Sequence, residues 1–118
     1  MQLRDRNISV LADNLAEAGF LAIIDDVIIY PPRLERLLAT IRTRPVFMAV
    51  LAPSLSVLQQ RDRDRPDKHV FQRWAHLDED MRRDIAGVGL WVDSTRQTPE
   101  ETATEVMERV WKEGLIAD

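Results

Sequence analysis

The amino-acid sequence predicts an α/β fold, a three-stranded parallel sheet with flanking helices. Three short, mainly apolar runs, residues 20–24, 46–51 and 88–92, suit strands covered on both faces, as parallel strands are. Stretches with helical spacing of apolar residues lie between them, so strand and helix alternate along the chain. Gly and Pro punctuate the junctions, where one periodicity gives way to the next. At 118 residues the chain suits a single α/β domain over residues 1–118.

The first element is a helix over residues 7–18. Ile8, Leu11, Ala12 and Leu15 share its apolar face, Asp13, Asn14 and Glu17 face water, and Gly19 supplies the C-terminal cap. The run FLAII then forms a strand, and Asp25 and Asp26 stand at its carboxyl end. Open α/β sheets place their ligands there, but paired aspartates also simply end strands and open turns.

Pro31 and Pro32 open a second helix, with Leu34, Leu37, Leu38 and Ile41 inward. Pro45 stops that pattern, and residues 46–51 form the second strand. A helix between two apolar strands is a right-handed βαβ unit. Ser54 caps a third helix with Leu55 and Leu58 inward, which runs into the polar stretch QQRDRDRPDK and ends before Pro66.

Residues 70–86 are helical again, in one or two pieces, with Phe71, Trp74, Leu77, Met81 and Ile85 as the apolar face. Gly87 ends that helix, and residues 88–92 form the third strand, leading into Asp93, Ser94 and Thr95. The last helix is signed at both ends: Thr98 caps it, Pro99 is its first residue, Glu101 completes a capping box and Gly114 stops it.

Composition excludes several function classes. A formal net charge of −4 offers no basic field for nucleic acid or an acidic membrane. No apolar run approaches the roughly 20 residues that span a bilayer, and the N-terminus carries no signal-peptide pattern. The absence of cysteine rules out thiolate metal sites and fits a cytoplasmic location. His69 and His76 lack partners at metal-ligand spacing, and no histidine accompanies Ser54, Ser94 or Thr95 as a triad requires.

Two arginines draw the chemical reading. Arg61 and Arg65 are four residues apart and share a helical face, where two guanidinium forks suit the oxygens of a polyphosphate. The alternative is a solvated helix end on which Asp62 and Asp64 neutralise them. Both readings stand on the residues alone.

In order along the chain, IIDDVII, a strand ending in LAPS, LQQRDRDRP, HLDEDMRR and GLWVDSTRQTPEET together resemble one family. It is the group of small P-loop kinases and phosphotransferases related to chloramphenicol phosphotransferase, gluconate kinase and shikimate kinase. The resemblance runs from about Asn7 to Trp111. It implies a partial P-loop kinase fold, with Mg2+ and ATP as cofactors in a complete homologue and a small-molecule hydroxyl as phosphoryl acceptor. Arg61 and Arg65 would be the lid arginines over the ATP phosphates. Ser94 and Thr95 would lie in the loop that cradles adenine. Asp25 and Asp26 would stand near the magnesium.

One departure is plain. None of the four glycines is followed by Lys-Ser or Lys-Thr, so the phosphate-cradling G-x-x-x-x-G-K-[ST] is missing. The chain therefore resembles the C-terminal portion of such a kinase, expected to bind no cofactor and to catalyse nothing alone. Without the neighbouring strands of the family sheet, apolar edges are left open and self-association is expected. The rival class is a non-catalytic receiver-like signalling module. Its paired aspartates fit, but the next strand ends in Leu51, Ala52 and Pro53 without an acceptor aspartate.

Overall fold

The computed structural model describes residues 2–28 and 30–118; Ile29 and the side chains of Arg73 and Trp74, including the expected core contact of Trp74, lie outside the described residues. Among the described residues five helices and four short strands follow one another. They are α1 (Leu3–Glu17), α2 (Pro31–Thr40), β1 (Val46–Phe47), β2 (Ala49–Leu51), α3 (Leu55–Arg63), α4 (Phe71–Asp84), β3 (Leu90–Val92), α5 (Pro99–Glu113) and β4 (Leu115–Ala117). The chain is mixed α/β, as expected.

The sheet is not the expected one. β2 pairs parallel with β3, in the register Ala49–Leu90, Val50–Trp91 and Leu51–Val92. β1 pairs antiparallel with β4, forming a second two-stranded sheet. Residues 46–51 are thus one extended run that changes partners at Met48, whose amide donates to the Gly114 carbonyl at 2.8 Å and whose carbonyl accepts from Leu90 at 2.9 Å. β4 is a strand the sequence reading did not anticipate; its signal is the short apolar LIA directly after the Gly114 stop.

The three-stranded parallel sheet fails at its first strand. Residues 20–24 form no strand, and Phe20, Leu21 and Ile23 are exposed, Ile23 by 81%. A run apolar on both faces needs a ladder partner and two covering layers. Here β3 takes the place beside β2, and residues 20–24 are left without a ladder. Gly19 does end α1 as expected: at φ 93° it closes a Schellman turn, with Phe20 N–H on the Leu15 carbonyl and Gly19 N–H on that of Ala16, each at 3.0 Å.

α1 also turns a different face inward. Asp5, Ser9, Ala12 and Asp13 are buried, while Leu11 and Leu15 are exposed. Asp13, expected in water, holds the turn after α2: its carboxylate accepts from the amides of Arg42 (3.1 Å) and Thr43 (2.9 Å) and from the Thr43 hydroxyl (2.7 Å). Asp5 accepts from Arg33 of α2 at 2.8 Å. Two anchored carboxylates thus set the helix's rotation against its apolar stripe.

The hydrogen bond from the Thr43 hydroxyl, with those of the two amides, pulls the Asp13 pKa down to about 2. An unfolded aspartate titrates near 3.9. The contribution of Asp13 is therefore complete above about pH 4 and disappears as pH falls toward 2. Denaturant unfolding at pH 5 and at pH 2.5 is expected to show a loss of stability that shrinks in Asp13→Asn. Equal acid sensitivity in both proteins would place the acid-labile contact elsewhere.

The β2–β3 pair is the centre of the core and carries an apolar cluster on each face, although Ala49 and Leu51 of β2 remain exposed. Val50 and Ala52 pack with Ile85, Met81 and Trp91 on one side, and Leu90 and Val92 with Val110, Val106 and Phe47 on the other. Phe47 meets Trp111 edge to face, with ring centroids 5.2 Å apart. The helix expected over residues 70–86 is one piece, α4, shorter at both ends (Phe71–Asp84), and the capping box of α5 is present in full.

Candidate functional site

The parallel strands β2 and β3 end side by side, and the two loops that leave them are tied together. The Ser54 amide donates to the Thr95 hydroxyl oxygen at 2.8 Å, and that hydroxyl donates to the Asp93 carboxylate, which also accepts the Thr95 amide. These bonds, the Thr95 hydroxyl first, hold the Asp93 carboxyl below its ordinary pKa. Ser94 is buried between them. Ser54 also begins α3, its hydroxyl accepting the Val57 amide, so the helix starts from this junction.

α3 carries Arg61 back over the strand ends. One Nη of Arg61 donates to the Ser94 carbonyl at 2.8 Å, bringing together two residues 33 apart in sequence. From the opposite side Arg82 of α4 donates to the carbonyls of Pro53 (3.0 Å) and Ala52 (3.4 Å). Two guanidinium groups thus neutralise carbonyls at the carboxyl ends of the strands, where no further strand satisfies them.

Between α3, α4 and the end of β2 lies a cleft of about 470 Å³. Leu51, Leu55, Leu58, Phe71 and Met81 give it apolar walls, and Arg61 and Arg65 are among its charged lining. An apolar cavity with a few convergent charges is the usual form of a small-molecule site. Arg61 keeps most of its five N–H donors after its bond to Ser94. Arg65 is only loosely paired, 3.9 Å from Asp62. Four of the residues singled out by sequence, Arg61, Arg65, Ser94 and Thr95, therefore lie on neighbouring elements around one end of the β2–β3 pair.

Asp25 and Asp26 fare differently. Asp26 is occupied: it accepts from Arg4 at 2.7 Å, from Arg33 at 2.8 Å and from the Val27 amide at 2.7 Å. Burial pushes its carboxyl up, but Arg33, the Val27 amide and Arg4 outweigh that, and its pKa lies below the ordinary value. Asp25 is exposed. Of this turn it is Val27 that reaches the cleft lining. Among the described residues no group of three or more His, Cys, Asp or Glu is placed to hold a metal ion. As arranged, Asp26 suits two arginines better than a metal, and Asp25 is exposed and does not line the cleft.

The sequence reading took Asp62 only as a neutralising partner for the arginines. The structure gives its carboxylate two backbone amides at the start of α4, Val70 at 2.8 Å and Phe71 at 3.0 Å. No local pattern announces this, because the bonds cross the polar loop. The sequence reading also passed over Arg82, which in the structure pairs with Asp78 one turn earlier at 3.0 Å.

The cleft at the carboxyl ends of the two parallel strands thus combines apolar walls with two arginines, Arg61 and Arg65, and two aspartates, Asp62 and Asp78. The family model for chloramphenicol phosphotransferase-like proteins matches residues 6–111, and the chain belongs to that family. Its class is therefore that of the phosphotransferases, whose acceptors are small molecules. No curated protein and no solved structure matches the chain. No helix of the described residues is long and apolar enough to cross a membrane.

Proposed function

We propose that the chain serves ATP-dependent phosphoryl transfer to a hydroxyl of a small molecule, within a P-loop kinase fold. The observation that supports this most is the position of Arg61, held by the Ser94 carbonyl and standing with Arg65 on the cleft beside the strand ends. In the reaction the acceptor oxygen attacks the γ-phosphorus, the bond to the β–γ bridging oxygen breaks, and ADP leaves. The hydroxyl proton passes to solvent. Charge collects on the phosphoryl oxygens, and Arg61 and Arg65 are the groups here that would offset it. Ser94 and Thr95, in the loop beside Arg61, would border the nucleotide base. Mg2+ would supply charge neutralisation of the phosphates; Asp25 would serve its shell, while Asp26, fixed by Arg4 and Arg33, would hold the turn.

The phosphate-cradling loop is not among these 118 residues. We infer that transfer requires such a loop from outside them, because two arginines cannot replace its nest of amides and its lysine. Calorimetry is the test. The 118-residue chain is expected to show no measurable affinity for Mg-ATP. A chimaera that joins it to the P-loop segment of another family member is expected to bind. Micromolar binding by the chain alone, or none by a folded chimaera, would contradict the proposal.

A further inference from the structure

We propose that Asp62 is a positioning residue for Arg65: its carboxylate pins the loop between α3 and α4 and so holds Arg65 beside Arg61 at the cleft. α4 has no capping side chain of its own; its N-cap is Val70, which carries none of the usual acceptor groups. Its first amides would be left without partners. Asp62 supplies the acceptor from the preceding helix, one carboxylate oxygen to Val70 (2.8 Å) and the other to Phe71 (3.0 Å), across eight and nine residues. The side chain is 11% exposed, so these charge-assisted bonds are largely shielded from water.

The same residue gathers the loop between those ends. The His69 Nδ1 donates to the Asp62 carbonyl at 2.7 Å, and the guanidinium of Arg65 lies 3.9 Å from the carboxylate. The six residues between Asp62 and His69 are thereby closed into a ring tied at Asp62. Arg61, one residue earlier, is fixed separately by Ser94. Among the described residues Arg65 has no such anchor of its own. Its pairing with Asp62 is long and 47% exposed on the arginine side, a contact that gives way readily to a stronger anion. The loop stays tied by the amide bonds while Arg65 is released. That division suits a cation that must stay near the cleft yet exchange one negative partner for another. Naming that anion a phosphate rests on the phosphotransferase reading; the positioning itself does not.

The experiment uses the 118-residue chain without nucleotide. Amide hydrogen exchange is measured at Val70 and Phe71, and the 15N relaxation of the Arg65 Nε–H reports its order. In Asp62→Ala, exchange at both amides is expected to quicken at least tenfold, and Arg65 to become as mobile as the exposed Arg6. In Asp62→Asn one amide bond can survive, so protection is expected to fall at one site while Arg65 still loosens. Arg65 as ordered in these variants as in the parent would overturn the proposal and leave Asp62 a cap for α4 alone. If Asp62→Ala does not fold, Asp62→Asn decides by the same criterion. No ATP or acceptor enters the measurement, so its failure leaves phosphoryl transfer untouched, and failure of transfer leaves it untouched.

Discussion

Gly89→Ala is expected to lower the unfolding free energy by about 3 kcal/mol or more, a large share of the roughly 5–15 kcal/mol of an ordinary domain. Gly89 sits at φ 73°, where a Cβ costs roughly 1–2 kcal/mol by itself. The added carbon would also lie 2.6 Å from the Met48 carbonyl oxygen, and backbone cannot move aside cheaply. That oxygen accepts the Leu90 amide, the bond that opens the β2–β3 pairing. Relieving the clash means displacing that bond, and the core on both faces of the pair depends on it. Gly87 is the internal control, because at φ 77° it shares the backbone conformation but has nothing within 4 Å of its added carbon. Gly87→Ala is therefore expected to cost only about 1–2 kcal/mol. Urea unfolding of both variants separates the conformational cost from the steric one. Equal losses would mean that the close approach to Met48 carries no weight.

The second large effect concerns Arg61. In a chimaera that binds Mg-ATP, Arg61→Ala is expected to reduce kcat by roughly a hundredfold, with a smaller rise in KM for ATP. The fall in kcat follows from loss of a cation where charge develops in the transition state. The rise in KM follows from the lost bond to Ser94, which frees the loop carrying Thr95. Arg61→Lys should restore little, since an ammonium cannot bridge the Ser94 carbonyl and a phosphate as a planar fork does. Arg65→Ala is expected to lower kcat as well but to leave the Ser94 loop in place. A kcat within threefold of the parent in both alanine variants would return the two arginines to the role of a solvated, salt-bridged helix end.

How much of this was legible in the sequence depended on whether the determining contacts were local. α5 could be read residue by residue because Thr98, Pro99 and Glu101 act within one turn of one another. The Ser54 start of α3 and the Gly19 stop of α1 are equally local. Residues 46–51 and 90–92 were legible as extended because a short, wholly apolar run bounded by turn residues has few other uses, although Ala49 and Leu51 stay exposed. The same rule misread residues 20–24, for an apolar run states what a segment could bury and not whether a partner strand stands beside it. The face of α1 was misassigned because Asp5 and Asp13 find partners some thirty residues away, at Arg33 and Thr43, which periodicity does not register.

The site divides along the same line. Arg61 and Arg65 both lie on the cleft, but α3 ends at Arg63, so helical spacing does not set them on one face: Arg61 stands in the helix and Arg65 in the loop after it. The link from Arg61 to Ser94 joins positions that only the fold brings together. Asp25 and Asp26 were read as one unit because they are neighbours in sequence. The structure separates them, tying Asp26 to Arg4 and Arg33 and leaving Asp25 exposed. Adjacent carboxylates in an extended segment point to opposite sides, so a shared role was the weaker inference.

The central claim, phosphoryl transfer to a small-molecule hydroxyl, is tested most directly by 31P NMR. The chimaera with a family P-loop segment, first shown to bind Mg-ATP, is incubated with ATP and a panel of small-molecule alcohols. The account predicts a phosphate-monoester resonance that grows with at least one alcohol as ATP is converted to ADP, and that weakens strongly in Arg61→Ala. ATP that stays intact with every alcohol, or ATP lost only to inorganic phosphate at a rate indifferent to Arg61, would contradict it.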